Sequence, residues 1–150
     1  MIIIFGLHSE FGYGILEFYQ PKEHLKDMED YVNFEIAKLL KEKGFNEYCY
    51  GYYYTSKYMT YGDIKQRNLD LFPDSYSAPT FQMTMKWLRE VHKLCITIIP
   101  KVTDDEGSGG CLWEWAVTYL LVPQSTSLEL FESYEEACEK AIRYCLENLI

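Results

Sequence analysis

Residues able to do chemistry are few in this sequence and badly spaced for it. His8-Ser9-Glu10 sets a hydroxyl between an imidazole and a carboxylate, the groups of nucleophilic catalysis. Adjacent side chains in a turn rarely converge, and no third group can be assigned to them. His92 with Cys95, and Cys138 with Cys145, carry metal-ligating atoms, and His24 stands alone. Neither pair has the short paired spacing of a zinc module, which favours a core histidine and buried thiols. Asp104-Asp105-Glu106 before Gly107 offers carboxylates to a cation but lacks the alternating ligands and distal glutamate of a calcium loop. Gly12-Tyr13-Gly14 lacks the third glycine and following helix of a nucleotide site, and no glycine loop leads into Lys-Ser or Lys-Thr. The expectation is therefore no catalytic, cofactor-binding or metal residues and no cofactor.

Two surface features remain as contact candidates. Lys86, Arg89 and Lys93 fall on one side of a predicted helix and form a positive strip on a strongly acidic chain. They are the candidate partner-contact residues, set against the plainer reading of a solvated helix face. Tyr48, Tyr50, Tyr52 and Tyr54 alternate along a predicted strand. Such a ladder can stack bases, sugars or a peptide, but without adjacent cations in sequence an ordinary half-buried sheet is the better reading.

Composition sets the outer bounds. With 150 residues, 48% of them hydrophobic, the expectation is one globular domain over 1–150. The net charge of −9 opposes nonspecific attraction to nucleic acid or to anionic membranes, so direct nucleic-acid binding is not expected. Five cysteines without CxxC spacing read as free thiols of a reducing cytoplasm. The apolar run Met1–Phe5 breaks at Gly6, far short of the roughly 20 residues of a membrane span. Fourteen tyrosines and three tryptophans supply large, stiff, amphipathic contact area.

The elements that must position these residues centre on Ser77–Val102, a helix running almost directly into a strand. Ser77 is placed as its cap and Pro79 in its first turn. Phe81, Met85, Leu88 and His92 form its apolar line, widened by Met83, Trp87 and Val91. Cys95–Ile99 is apolar on both faces, which predicts a strand interior to its sheet. Upstream, residues 2–7 and 13–19 predict a hairpin around His8–Glu10, an extension over 1–27. Leu25, Met28, Val32, Ile36 and Leu39 follow a helical stripe that Gly44 stops, and Asn33 offers the cap of a shorter helix over 34–43. Residues 45–64 predict two strands broken near Ser56-Lys57, and 65–77 a long mobile loop.

Downstream, residues 103–110 connect a hairpin whose second strand turns Trp113, Trp115, Val117, Tyr119 and Leu121 to the core, with Pro123 ending it. Ser133 and Glu136 form a capping box before a helix with Tyr134, Ala137, Cys138, Ala141, Ile142, Cys145 and Leu149 on its apolar face. Glu136 with Lys140 and Glu139 with Arg143 are the predicted ion pairs on its wet side. The order β-β-α-β-β-α-β-β-α predicts an α+β fold: two layers, an antiparallel sheet with about three helices packed mainly on one face.

Several runs also carry a resemblance. Asn33–Phe45, Cys49–Tyr53, Ser77–Thr80 with Trp87–His92, and Ser133–Ala137 occur in order, and together the chain from about Met28 to Ile150 resembles uncharacterised small proteins of Bacteroidales phages and prophages. The resemblance implies a small intracellular accessory protein of a mobile element and brings no activity or site residue with it. The leading expectation is a noncatalytic protein–protein interaction module with a host or phage protein as partner. The alternatives are an acidic nucleic-acid mimic that occupies a host DNA-binding or defence protein, and a small enzyme.

Overall fold

The computed structural model describes residues 30–54, 58–103, 110–120 and 122–150. The predicted N-terminal hairpin, its His8-Ser9-Glu10 turn, Gly12 and Gly14, His24, the start of the upstream helical stripe, the break at 56–57, the acidic run 104–106 and Leu121 lie outside them.

Helix α1, Phe34–Glu42, starts where Asn33 accepts the amide of Ile36 at 3.0 Å, so the shorter of the two predicted helices is the one that forms. It stops at Gly44, whose φ of +86° a glycine adopts without penalty. Nine residues do not hold a helix alone in water; burial of Ile36, Ala37 and Leu40 does. Strand β1, Cys49–Tyr53, pairs antiparallel with β2, Met59–Gln66, on one side and with β3, Tyr76–Ala78, on the other. At its centre a Cβ on Gly51 would lie 3.1 Å from the Ala78 carbonyl oxygen, so any larger residue there makes the strands give by a few tenths of an ångström.

Residues 65–77 are built differently from the expected mobile loop. They hold a 3₁₀ turn at Asn68–Asp70 and the strand β3. The buried Asn68 amide donates to the Phe45 carbonyl at 2.8 Å and accepts from the Ser77 amide at 2.9 Å, while Lys41 Nζ donates to the carbonyls of Pro73 and Ser75. Turn-forming composition signals a change of direction here, and long-range hydrogen bonds fix it.

Helix α2, Phe81–Val91, begins three residues later than a cap at Ser77 implies. Ser77 lies in β3 opposite Tyr52, so strand pairing has taken the residue assigned to the cap. Pro79 stands between strand and helix, where it keeps Ala78 extended, and Thr80 caps by accepting the Met83 amide at 3.2 Å. Phe81, Thr84, Trp87 and Leu88 are buried; Val91, expected on the core side, is 55% exposed. His92 closes the helix and Lys93, in a left-handed conformation with φ +61°, turns the chain into β4, Leu94–Thr103.

β4 pairs with β5, Gly110–Tyr119, from Leu94 opposite Tyr119 to Lys101 opposite Leu112. Among the described residues β4 has only this one strand neighbour, so it edges the sheet β4-β5-β6, and Thr97, Pro100, Lys101 and Val102 are exposed. The apolar run was a poor guide because Ile96 and Ile98 face the core while Ile99 and Cys95 occupy the other, half-buried face. Trp115 and Val117 are buried as expected, Trp113 is half-buried edge-on against Tyr134, and Tyr119 is 43% exposed. β5 ends at Tyr119 by a turn through Leu120, φ +46°; Pro123 sits inside the edge strand β6, Val122–Thr126, rather than terminating its predecessor.

Helix α3, Tyr134–Asn148, is capped by Ser133, which accepts the Glu136 amide at 3.0 Å. Ala137, Cys138, Ala141, Ile142, Cys145 and Leu146 are fully buried. Its polar partners differ from the expected Glu139–Arg143 pair: Glu139 accepts from Asn33 Nδ2 ahead of α1, and Arg143 makes its i,i+4 pair with Glu147 at 3.3 Å. α3 packs on β4, β5, α1 and α2, and α1 packs on β3. The fold is thus α+β, with the strands divided into two three-stranded antiparallel sheets, β2-β1-β3 and β4-β5-β6, where one sheet was expected.

Asn68→Ala deletes both bridges and leaves a buried carbonyl and amide unpaired. It is expected to lower stability by about 1–3 kcal/mol in urea unfolding, against less than about 0.5 kcal/mol for a substitution of exposed Leu69.

Candidate functional site

A groove of about 380 Å³ lies between α2 and the chain entering β1. Met83, Trp87 and Val91 line it from one side, Glu47 and Tyr48 from the other, with Lys86 and Glu90 on the helix wall. The spacing of the helix positions explains this: 83, 87 and 91 are four residues apart and lie along one line of α2. Trp87 is itself held from behind by Phe45, centroids 5.4 Å apart, and by His92 at 4.6 Å. The opposite wall is fixed too. Asn46 accepts the Leu69 amide, and the Arg67 guanidinium lies over the Tyr48 ring at 4.9 Å while Asp70 grips it with two bonds of 3.0 Å. That ion pair holds the Asp70 carboxyl below the usual carboxylate range. A smaller hollow of about 200 Å³ adjoins the groove and shares Tyr48 and Met83 with it.

Of the three cations singled out in the sequence, Lys86 lies on the groove and 4.0 Å from Glu90. Lys93 donates to the Glu90 carbonyl at 2.6 Å, and neither it nor Arg89 lines the groove. The structure therefore brings one of them to the hollow and not the other two. The tyrosine ladder keeps its predicted alternation, with Cys49, Gly51 and Tyr53 buried and Tyr48, Tyr50 and Tyr54 exposed. It does have adjacent cations: β2 brings Lys65 over Tyr50 at 5.0 Å beside Arg67 over Tyr48. Antiparallel register, not sequence proximity, creates those contacts, so the sequence offered no sign of them. Glu47, Tyr48 and the exposure of Val91 were likewise missed as a group. The only available signal was the 83-87-91 spacing, which is also that of a core face.

The thiols and the histidine have structural surroundings. Burial pushes the thiols of Cys49 and Cys145 up to about 12 and that of Cys138 to about 11. Cys138 and Cys145 are seven residues apart on one helix, a rise of about 10 Å, too far to share an ion. Among the described residues no three His, Cys, Asp or Glu side chains are grouped to hold a metal. No helix of these residues is long and apolar enough to cross a membrane. A second hollow of about 400 Å³ lies between Trp115, Ser127 and the Lys140–Glu147 side of α3, but one of its walls is the irregular stretch 127–131. Comparisons with protein-family profiles, curated proteins and solved structures give no match for this chain.

Two measurements check these surroundings. Under native conditions an alkylating reagent should modify exposed Cys111 first and reach Cys49, Cys138 and Cys145 only on unfolding, as read by mass spectrometry of the peptides. Burial lowers the pKa of His92, whose Nε2 has no hydrogen-bond partner among the described residues. Its neutral form is favoured in the fold, so its contribution is complete above the unfolded pKa of about 6.5 and is lost as the pH falls through that value towards the folded one. His92→Phe is expected to flatten the fall of the urea midpoint between neutral and mildly acidic pH.

Proposed function

We propose that this chain is a noncatalytic interaction module that takes a host or phage protein into the groove between α2 and Tyr48, in keeping with the phage and prophage proteins it resembles. One observation carries the reading: a rigidly walled groove with an aromatic and aliphatic lining, whose Tyr48 is 52% and Val91 55% exposed. Apolar side chains left open on framework elements are what a docking side chain displaces water from. None of the groove's side chains is a nucleophile paired with a base, so its geometry suits binding better than bond making. The mimic reading draws less support. Several of the exposed acids are matched by cations of the same chain, in Arg67–Asp70, Lys86–Glu90 and Arg143–Glu147, which breaks up a phosphate-like array.

A photo-crosslinking residue at exposed Gln82, beside the groove, should give a defined adduct in cells carrying the corresponding phage, and the same residue at exposed Thr126 should not. Val91→Asp should weaken that association about thirtyfold, as expected for loss of an anchor position worth about 2 kcal/mol. Equal adducts from both positions, or an association indifferent to Val91→Asp, would remove the groove from the function.

A further inference from the structure

We infer that the groove takes a basic peptide segment, with an Arg or Lys side chain laid along Met83, its charged head at Glu47 and an apolar neighbour on Val91; this rests on the groove being the docking site. Three observations converge on a cation. The first is charge. Glu47 has no ion-pair partner among the described residues, and Glu90 faces only Lys86, at 4.0 Å with both side chains more than half exposed. An exposed pair at that distance contributes little and rearranges easily. The lining thus carries two carboxylates to one ammonium, on a chain of net charge −9 that draws basic partners from a distance.

The second is the rings. Tyr48 already carries the Arg67 guanidinium at 4.9 Å, so this ring is one against which cations settle, and Lys65 lies over Tyr50 at 5.0 Å in the adjoining hollow. The third is the floor. Met83 offers an apolar surface to the methylene stem of Arg or Lys, which buries its carbons while its head stays at a carboxylate, and Val91, about 12 Å along the helix, offers one to an apolar neighbour. An acidic segment finds a poorer match. Arg67 is held by Asp70, Lys93 is drawn to the Glu90 carbonyl, and Lys86 is outnumbered by Glu47 and Glu90 in the lining. A single-stranded nucleic acid would stack on the same tyrosines but bring its phosphates against Glu47 and Glu90.

The test uses the full chain and three fluorescent peptides of one length: alternating Arg and Leu, the same with Gln for Arg, and the same with Glu for Arg. The Arg peptide should bind at least tenfold more tightly than the Gln peptide, and the Glu peptide should not bind. Glu47→Gln should cost the Arg peptide about tenfold, while Glu135→Gln, which changes the net charge equally from the exposed side of α3, should cost nothing. Val91→Asn, which removes the apolar anchor without adding a charge, reports on the groove itself. If Val91→Asn weakens binding but the Glu or Gln peptide binds as well as the Arg peptide, the groove stands as the docking site and the basic segment is wrong. Equal losses from Glu47→Gln and Glu135→Gln, binding of no peptide, or displacement of the Arg peptide from the groove by a single-stranded oligonucleotide that itself loses affinity in Val91→Asn, each overturn the inference.

Discussion

The fold depends on how closely α3 approaches everything around it. This one helix touches both other described helices and two strands of the second sheet, and it does so through Ala137, Cys138, Ala141 and Cys145, each fully buried. Small side chains let backbones come near enough for Ile142 and Leu146 to reach across into the shared interior. A larger residue at Ala137 or Ala141 would push α3 away from α1, α2 and the second sheet at once. The Asn33–Glu139 bond reinforces the same junction from the polar side, joining the cap of α1 to the middle of α3.

From that junction outward, the walls of the groove are fixed by bonds that skip long stretches of chain. Asn68 and Asn46 tie the segment after α1 to the turn after β2, and Arg67 presses on Tyr48 from β2's end. On the helix side, Trp87 is wedged between Phe45 and His92. Both walls therefore rest on Phe45 and its neighbours, so the groove's width is set by the core and is not left to exposed side chains. A preorganised hollow of this kind spares its ligand the entropy of ordering the receptor.

Local signals in the sequence were reliable where the deciding interaction is itself local. Asn33 and Ser133 cap their helices, Gly44 ends one, and the alternation of Cys49 to Tyr53 and of Trp115 and Val117 sets which faces are buried. The reading failed where a partner far along the chain decides. Ser77 is a good cap by type but is taken by pairing with Tyr52; residues 65–77 look like a loop until Asn68 finds Phe45; Pro123 is accommodated because its strand is an edge. Among the described residues β4 pairs with β5 alone, and a strand's own composition does not reveal how many neighbours it has. The groove was the least legible feature. It is assembled from a helix line that resembles core and from a tyrosine whose guanidinium partner lies nineteen positions away.

His92 and Lys93 are the whole connection between α2 and β4, and the left-handed backbone of Lys93 is met by a hydrogen bond from the Leu120 amide, itself in a left-handed turn. Such a joint has no slack. One residue added there would rotate the helix by about 100° or flip every side chain of the strand to the opposite face. The roll of α2, and with it the direction in which Met83, Trp87 and Val91 point, is geared to the ladder between β4 and β5. The second sheet, which supplies none of the groove's side chains, thus sets the angle at which those of α2 are presented.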